Sequence, residues 1–190
     1  HSILDGKKQV SMIDVVELSL NGLKLIKPKV FSDDRGFFLE CYRREQYLKC
    51  GIEFEFVQDN HSYSKKDVLR GMHFQKSPGQ VKLVSVLKGK ILDVVVDIRL
   101  ASPTFGQFES VILDGESHQQ LLIPIGFAHG FLVLSEGAHV FYKVSSPYDP
   151  AEEKSFRFDD PMVGIQWPIK NALVSERDLE APPFAEAIPC

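Results

Sequence analysis

Short runs of β-branched and apolar residues, separated by turn residues, follow one another through the centre of the chain. Short strands at regular spacing are typical of a sandwich or barrel. Lys88 and Gly89 form a turn between the first two runs, so we expect these two strands to pair as a hairpin. The predicted central strands lie at 82–87, 90–99, 108–113, 119–123, 130–134 and 139–144.

The segments before and after this central region carry fewer signals of secondary structure. Two strands are predicted at 23–31 and 36–41, and a polar segment at 44–50 that precedes Gly51 predicts one short helix. A sequence like a capping box at 175–178 has no apolar periodicity after it, so only a short turn is predicted there. The polar residues at 58–64 fit either a loop or the wall of a polyol pocket. An all-β fold with short peripheral helices is expected.

The size of the chain favours one domain. Its 190 residues, 44% of them hydrophobic, can bury one substantial core, which we assign to residues 12–190. Residues 1–11 do not resemble a native start, and Met12 is a candidate initiator. We therefore expect residues 1–11 to be an added leader or a disordered N-terminus.

Charge and composition exclude several classes of partner. A net charge of -4 argues against a surface for nucleic acid. The sequence contains neither the roughly 20 apolar residues of a membrane span nor a secretory signal, so a cytoplasmic protein without a membrane partner is expected. Cys41, Cys50 and Cys190 form no CxxC pair, which predicts reduced thiols.

The segment Val-Leu-Arg-Gly-Met-His-Phe-Gln at 68–75 carries the first candidate chemistry. Arg70 is a permanent cation, and His73 can exchange a proton near neutral pH. An isolated histidine in a strand-rich region is more often structural. The pair nevertheless suits an anionic substrate and proton transfer.

A second histidine, His129, lies in a segment that resembles the PxGxxH motif of cupin barrels, where such a histidine often binds a metal ion. Cupin metal sites usually begin with an HxH motif, whereas the residues two positions before and after His73 are Gly71 and Gln75. Metal sites also need three or more ligands in most cases. His129 is therefore interpreted as a substrate contact, and no metal site is predicted.

Two residues of the later strands can complete an acid–base site. Tyr142 offers a phenol that can deliver a proton, although a structural strand aromatic is the simpler interpretation. Lys82 is a charge within an apolar strand, which is costly to bury unless it faces a negative group. A solvent-facing position is equally compatible with its sequence.

Several separate motifs, in order, resemble one family, the dTDP-4-dehydrorhamnose 3,5-epimerases of the cupin superfamily. The resemblance extends from about Leu23 to Asp178. The matching motifs lie at 34–40, 57–64, 68–75, 93–99, 102–106, 123–131, 167–168 and 175–178.

The resemblance implies a jelly-roll cupin fold, a homodimer, a dTDP-linked 4-keto-6-deoxy sugar as substrate, and no metal or organic cofactor. It makes His73 the general base, Asp178 its orienting carboxylate and Tyr142 the acid on the opposite face. Lys82 would hold the C4 carbonyl oxygen. The implied substrate contacts are Arg35, Phe38, Glu40, Gln58, Asn60, Arg70, His129, Tyr148, Glu153 and Arg177. Tyr148 would stack on thymine. Arg35, Phe38 and Glu40 would reach the nucleotide, either in their own subunit or in the partner subunit.

Two departures from the family pattern leave alternatives open. Pro147 precedes Tyr148 where many members have a second tyrosine, and Arg177 stands where lysine is common. The expected reaction inverts both C3 and C5 of dTDP-4-dehydro-6-deoxy-D-glucose. A C3-only or C5-only epimerase, an enzyme for a GDP-linked keto sugar, a metal-dependent cupin oxygenase or isomerase, and a non-catalytic sugar-binding cupin are the alternatives.

Overall fold

A computed structural model describes residues 11–189 of the chain, so the prediction for residues 1–11 lies outside the described residues apart from Ser11. The described part forms fourteen strands and three short helices. The strands are β1 (Ile13–Glu17), β2 (Lys24–Pro28), β3 (Val30–Asp33), β4 (Gly36–Leu39), β5 (Gln58–Lys65), β6 (Val68–Gln75), β7 (Lys82–Lys88), β8 (Lys90–Asp97), β9 (Phe108–Asp114), β10 (Gln120–Ile123), β11 (Phe127–Val133), β12 (Gly137–Val144), β13 (Glu153–Ser155) and β14 (Leu173–Val174). The helices are α1 (Arg44–Lys49), α2 (Glu176–Leu179) and α3 (Phe184–Ala187).

Twelve of these strands form two sheets. Sheet I has the order β1-β2-β10-β7-β12-β5, and sheet II has the order β13-β6-β11-β8-β9 with β14 parallel to β6. The remaining two strands, β3 and β4, pair as a separate hairpin. The predicted all-β class is therefore confirmed, with the helices at the periphery.

The two sheets face each other across the main hydrophobic core. Val84 and Val140 of sheet I pack there with Ile91, Val95 and Phe131 of sheet II. Alternate residues of a strand point to opposite faces, so the polar residues that share these inward positions also lie between the sheets. This interior positions the candidate site.

The outer faces of the sheets are covered by different parts of the chain. Tyr47 of α1 and Ile52 pack against sheet I, and Phe156 and Phe184 of the C-terminal region pack against sheet II. The predicted helix at 44–50 is confirmed as α1, and Gly51 after it has a φ of +76°, a left-handed conformation that favours glycine.

The predicted hairpin of 82–87 with 90–99 is wrong. β7 lies between β10 and β12 in sheet I, whereas β8 lies between β11 and β9 in sheet II, so the chain crosses from one sheet to the other at Gly89. Both strands are central, and both are rich in buried apolar residues for that reason. A short turn between two such strands predicts pairing locally, but it cannot reveal a change of sheet.

Two other local predictions need correction. The strand predicted at 23–31 is two strands, because β2 ends at Pro28, which has no amide hydrogen, and β3 leaves to pair with β4. The loop interpretation of 58–64 is also wrong, since these residues form most of β5 at the edge of sheet I. One face of β5 meets solvent and the other a polar interior, so the usual apolar alternation is absent.

Candidate active site

Four of the predicted site residues lie on the inner faces of the two sheets. On sheet I, Tyr142 packs against the main core, and Lys82 shares its side of β7 with the core residue Val84. On sheet II, His73 of β6 and His129 of β11 are Cα partners across the ladder. The predicted proton-transfer groups are thus distributed over two facing walls.

A register shift brings Arg70 to the same side of β6 as His73. Residues three apart on a regular strand point to opposite faces. Here the three-residue step from Arg70 to His73 is matched by a two-residue step from Phe131 to His129 on β11, which is a β-bulge. Arg70 Nε donates a hydrogen bond of 2.9 Å to Ser64 Oγ of β5, so the guanidinium spans from sheet II to sheet I.

His73 is held by a buried carboxylate. Its Nε2 lies 2.6 Å from Asp178 Oδ1, and the backbone N–H of Gly71 donates to Asp178 Oδ2 at 3.1 Å. Burial opposes ionisation of Asp178, but the hydrogen bonds from His73 and Gly71 hold its pKa below the ordinary value. An ionised Asp178 accepts the Nε2–H, which leaves the lone pair on Nδ1 of His73. The side chain of His73 is 25% exposed, so this nitrogen is accessible.

The C-terminal region carries Asp178 to this position across 105 residues of sequence. β14 pairs with the start of β6, and the single turn of α2 follows directly. Ser175 caps that turn, since its Oγ accepts a hydrogen bond from the backbone N–H of Asp178 at 3.2 Å. The turn predicted at 175–178 is therefore confirmed as one turn of helix.

A second histidine–carboxylate pair lies beside the first. His129 Nε2 is 2.7 Å from Oδ2 of Asp93, a fully buried residue of β8. The other oxygen of Asp93 is buried without a hydrogen-bond partner among the described residues. Sequence reasoning did not single out Asp93 as a site residue. Its signal was a carboxylate at an inward position of an otherwise apolar strand, which is rarely unpaired.

Glu153 links the charged groups of the two walls. Burial raises the pKa of Glu153, but the hydrogen bonds from Arg177 and Tyr148 outweigh this effect and lower it. The ionised carboxylate in turn adds to the burial that raises the pKa of Tyr142. Burial has the largest effect on Lys82 and lowers its pKa, with Glu153 and Asp93 opposing it. The groups are thus near enough to influence each other's charge. The sequence could not establish this convergence.

Tyr142 is paired with Asn60 of β5. The two residues are Cα partners in the ladder. Burial raises the pKa of Tyr142, as does Glu153, so the phenol keeps its proton at neutral pH. Gln58 Nε2 donates to Asn60 Oδ1 at 2.8 Å. Two predicted substrate contacts, Gln58 and Asn60, are therefore hydrogen-bonded to each other on the strand that pairs with Tyr142.

Tyr148, Glu153 and Arg177 meet at the rim of the interior. The Tyr148 hydroxyl and Arg177 Nη2 both donate to Glu153 Oε2, at 2.9 and 2.7 Å. Glu153 enters this position because β13 pairs with β6, which sets Glu153 opposite Gln75. Arg177 adjoins Asp178 in α2, so the same short helix supplies a rim cation and the carboxylate of the histidine pair.

Three predicted contacts are not brought to this interior within one chain. Arg35 is bound to Asp33 in the β3–β4 hairpin, and the Phe38 side chain is 67% exposed. Glu40 follows the hairpin, where one carboxylate oxygen pairs with Arg43 at 3.5 Å and the other is buried without a hydrogen-bond partner among the described residues. The hairpin thus presents these residues away from His73.

Other sequence predictions concern thiols, metal ligands and membrane spans. Cys41 and Cys50 are free, and Cys190 lies outside the described residues. Within residues 11–189, no group of three or more His, Cys, Asp or Glu side chains is arranged to hold a metal ion. No helix in this part of the chain has the length and apolar character that crossing a membrane requires.

Known proteins are similar to this chain in sequence and in fold. The sequence profile of the family described as dTDP-4-dehydrorhamnose 3,5-epimerase matches residues 17–186. The family's Salmonella typhimurium enzyme is 45% identical over 180 residues, which are 93% of this chain and 98% of that protein. A Neisseria gonorrhoeae protein of the same name is 44% identical, but the match spans only 54% of its length.

Solved structures extend the similarity to the whole architecture. The Legionella pneumophila dTDP-6-deoxy-D-glucose-3,5-epimerase in complex with dTDP-4-keto-L-rhamnose has a TM-score of 0.88 at 46% identity, covering 93% of this chain and 97% of that one. ChmJ, a 3'-monoepimerase from Streptomyces bikiniensis in complex with dTDP-quinovose, has a TM-score of 0.84 at 39% identity, covering 89% and 88%. The predicted jelly-roll, cupin-like fold is confirmed by these matches, and the chain belongs to the dTDP-4-dehydrorhamnose 3,5-epimerase family.

Proposed function

We propose that this protein inverts C3 and C5 of dTDP-4-dehydro-6-deoxy-D-glucose and releases dTDP-4-dehydro-L-rhamnose. One observation carries the proposal: the His73–Asp178 pair on sheet II faces Tyr142 on sheet I, and Lys82 adjoins them. Inversion of a ring carbon requires a base on one face of the sugar and an acid on the other. Two facing walls with one such group each meet this requirement.

The first step is removal of a proton from C3 or C5. The C4 ketone acidifies both positions, and the unprotonated Nδ1 of His73 takes the proton while Nε2–H donates to Asp178. Asp178 stays ionised and stabilises the imidazolium that forms. The electron pair of the broken C–H bond moves onto the C4 oxygen as an enolate.

The second step returns a proton from the opposite face. The Lys82 ammonium holds the enolate oxygen where its charge develops. The Tyr142 hydroxyl then protonates the ring carbon, and both side chains recover their starting states by exchange with solvent. The raised pKa of Tyr142 keeps the acid protonated until this step.

The substrate's nucleotide is assigned to the rim. The diphosphate carries negative charge, for which Arg70 and Arg177 are suitable partners. The exposed ring of Tyr148 would stack on thymine, and Gln58 with Asn60 would supply amide hydrogen bonds. His129 and Glu153 would contact the sugar. The two ligand complexes above, which contain dTDP-linked sugars, support this choice of substrate class.

We assign the β3–β4 hairpin to a homodimer contact. Phe37 and Phe38 are 60% and 67% exposed on it, which is unfavourable unless another surface covers them. A groove of about 430 Å³ between this hairpin and the outer face of sheet I, lined in part by Leu87 and Phe141, adds further apolar surface. In a dimer, Arg35, Phe38 and Glu40 would reach the nucleotide of the partner subunit.

Inversion at C3 alone is the second candidate. It is favoured by the similarity to ChmJ, a 3'-monoepimerase with the same fold. Both reactions use the same base and acid, and they differ in whether the ring can turn to offer C5 to His73 after C3 has reacted. C5-only inversion and GDP-linked keto sugars remain further variants of the same site.

Solvent exchange tests these assignments. The protein is incubated with dTDP-4-dehydro-6-deoxy-D-glucose in D₂O, and deuterium at C3 and C5 is followed by NMR. We expect deuterium at both carbons, together with the L-configured product. Deuterium at one carbon only would replace the proposal with a monoepimerase, and turnover of the GDP-linked sugar alone would change the nucleotide.

The same assay tests the base. His73→Asn should slow exchange at both carbons by about 10²- to 10⁴-fold, the usual contribution of general acid–base catalysis. His139→Asn is the matched control, because His139 alternates with the core residues Ala138 and Val140 and therefore points to the solvent face of β12. Exchange at the normal rate in the His73 variant would contradict its role.

A further inference from the structure

A pair of histidines lies on the solvent face of sheet I, behind the wall that carries Tyr142. His61 of β5 is exposed, and His139 of β12 alternates with the core residues Ala138 and Val140, so its ring points outward. The Nε2 atom of His61 and the Nδ1 atom of His139 are 3.0 Å apart and share a hydrogen bond, so a metal ion that bound both nitrogens would replace that proton. This contact is not used by the proposed reaction.

The strand ladder fixes the two rings in this position. His61 is the Cα partner of Phe141, two residues along β12 from His139, so the histidines are diagonal neighbours on one face of an antiparallel pair. The ring of Tyr63 packs 4.8 Å from that of His139 and limits its movement. Two imidazole nitrogens are therefore held close together at a surface that water and ions can reach.

The separation of the nitrogens matches the spacing of neighbouring ligands around a metal ion. Imidazole nitrogen binds such ions at about 2.0–2.1 Å, so two nitrogens 3.0 Å apart subtend an angle of about 95° at the ion. Square-planar and octahedral ions place neighbouring ligands near 90°. Tetrahedral Zn²⁺ prefers about 109°, which would need a spacing of about 3.3 Å at the same bond length.

We propose that His61 and His139 form a chelating site for a late first-row transition-metal cation, Ni²⁺ or Cu²⁺, with water in the other coordination positions. Imidazole is a preferred ligand of both ions. Affinity is modest, because only two protein ligands take part and the cation Lys88 is the Cα partner of His139 on β7. The proposal is independent of the epimerase function, since the site faces away from the sugar cavity.

Binding there would join an edge strand to the body of the sheet. Among residues 11–189, β5 pairs only with β12, whereas β12 is also paired with β7. A metal ion shared by His61 and His139 would bridge β5 and β12. It would therefore stabilise the folded state by RT ln(1 + c/Kd), where c is the free metal concentration, so the stabilisation rises with the logarithm of c once c exceeds Kd.

Ni²⁺ is the appropriate probe, because Cu²⁺ would oxidise the exposed free thiol of Cys41. Binding is measured by calorimetry on the full-length protein, with His61→Gln and His139→Gln as single variants. Each variant should bind Ni²⁺ about 10- to 100-fold more weakly, because loss of one ligand removes the intramolecular advantage of the second. His118→Asn is the control and should bind like the unmodified protein.

Two further readouts separate chelation from general metal binding. Ni²⁺ should raise the melting temperature of the unmodified protein and of the His118 variant, but not of either glutamine variant. Zn²⁺ should bind less tightly than Ni²⁺. Epimerase activity without added metal should be the same in the unmodified protein and in the two glutamine variants. Equal Ni²⁺ affinity in the unmodified protein and the two glutamine variants, or a melting shift that both variants retain, would overturn the proposal.

Discussion

His73 and His129 are Cα partners on adjacent strands, and each is bound through Nε2 to a buried aspartate, at 2.6 and 2.7 Å. The two pairs differ in how the aspartate is held. Asp178 has a partner for each oxygen, whereas one oxygen of Asp93 is buried without a partner among the described residues. The His73 side chain is 25% exposed, and that of His129 is 10% exposed.

This difference indicates that His73 exchanges protons during the reaction, whereas His129 does not. His73 combines access from the cavity with a fully satisfied carboxylate, which can stabilise a positive charge each time it appears. His129 is more enclosed, and its carboxylate comes from the next strand of the same sheet instead of a separate C-terminal segment. We therefore assign turnover chemistry to the first pair and substrate contact to the second.

Asp178→Asn should have the largest effect on turnover of the substitutions that compare the two histidine–aspartate pairs. The amide can accept from the Gly71 N–H but cannot stabilise an imidazolium, so kcat should fall by about 10²- to 10⁴-fold. The variant's turnover is measured at saturating substrate. Glu180→Gln serves as its control, since it also removes a negative charge near the end of α2. A loss below tenfold would remove Asp178 from the mechanism.

Asp93→Asn should have a smaller effect. The amide oxygen can keep the bond to His129, but the amide nitrogen would be buried where one oxygen already lacks a partner among the described residues, so the free energy of unfolding should fall by about 1–3 kcal/mol. Activity should fall about tenfold, mainly through KM, because His129 contacts substrate without exchanging protons. Chemical denaturation and steady-state kinetics measure the two quantities. If kcat fell as far as in Asp178→Asn, the distinction between the two pairs would fail.

Glu153 allows a test by pH, because its charge opposes the effect of burial on the pKa of Lys82 and adds to that effect on the pKa of Tyr142. Burial lowers the pKa of Lys82 from its ordinary value of 10.5, so this group loses its proton at lower pH than a free lysine and kcat then falls. Glu153→Gln removes a negative neighbour that raises the pKa of Lys82. The alkaline decline of kcat should therefore move to lower pH, while Glu136→Gln, at a distant surface site, should leave it unchanged.

An alkaline decline that stayed in place or moved to higher pH in Glu153→Gln would mean that Lys82 does not need its proton for turnover. The same variant also loses the rim contacts with Tyr148 and Arg177. For that reason the profile is taken at saturating substrate, where changes in binding do not enter kcat.

Arg177→Lys gives the smallest expected effect. It restores the residue common in the family, keeps the positive charge beside Asp178 and weakens only the geometry of the bond to Glu153. Exposed ion pairs contribute about 0.2–1 kcal/mol, so KM should change by no more than about fivefold with kcat unaltered. Steady-state kinetics would contradict this account if kcat changed as much as KM.

Most of the central strands were predictable from the sequence, but β6 and several of the strand pairings were not. Composition marks β8 and β11 as strands because both are buried on two sides. Which strands pair depends on contacts between distant residues, and the change of sheet at Gly89 leaves no local signal. β5 was missed because its inner face lines a polar cavity and lacks the apolar alternation on which strand prediction depends.

The candidate site was likewise predictable only in part from the sequence. His73, Lys82 and Tyr142 were identifiable as reactive types, and the family resemblance connected them with Asp178. Their common location depends on the bulge in β6 and on the pairing of β13 with β6, which only the folded chain provides. Asp93 carries no reactive signature of its own, and its importance follows from its contact with His129.

The most direct test of the central claim is deuterium exchange by Tyr142→Phe. If His73 and Tyr142 act from opposite faces, this variant should still exchange C3 hydrogen with D₂O, because the base is intact, while inversion to the L-configured product falls by about 10²-fold or more. Deuterium content and configuration are read from the same NMR sample. Inversion at the unmodified rate, or loss of exchange and inversion in equal measure, would contradict a site with two proton-transfer faces.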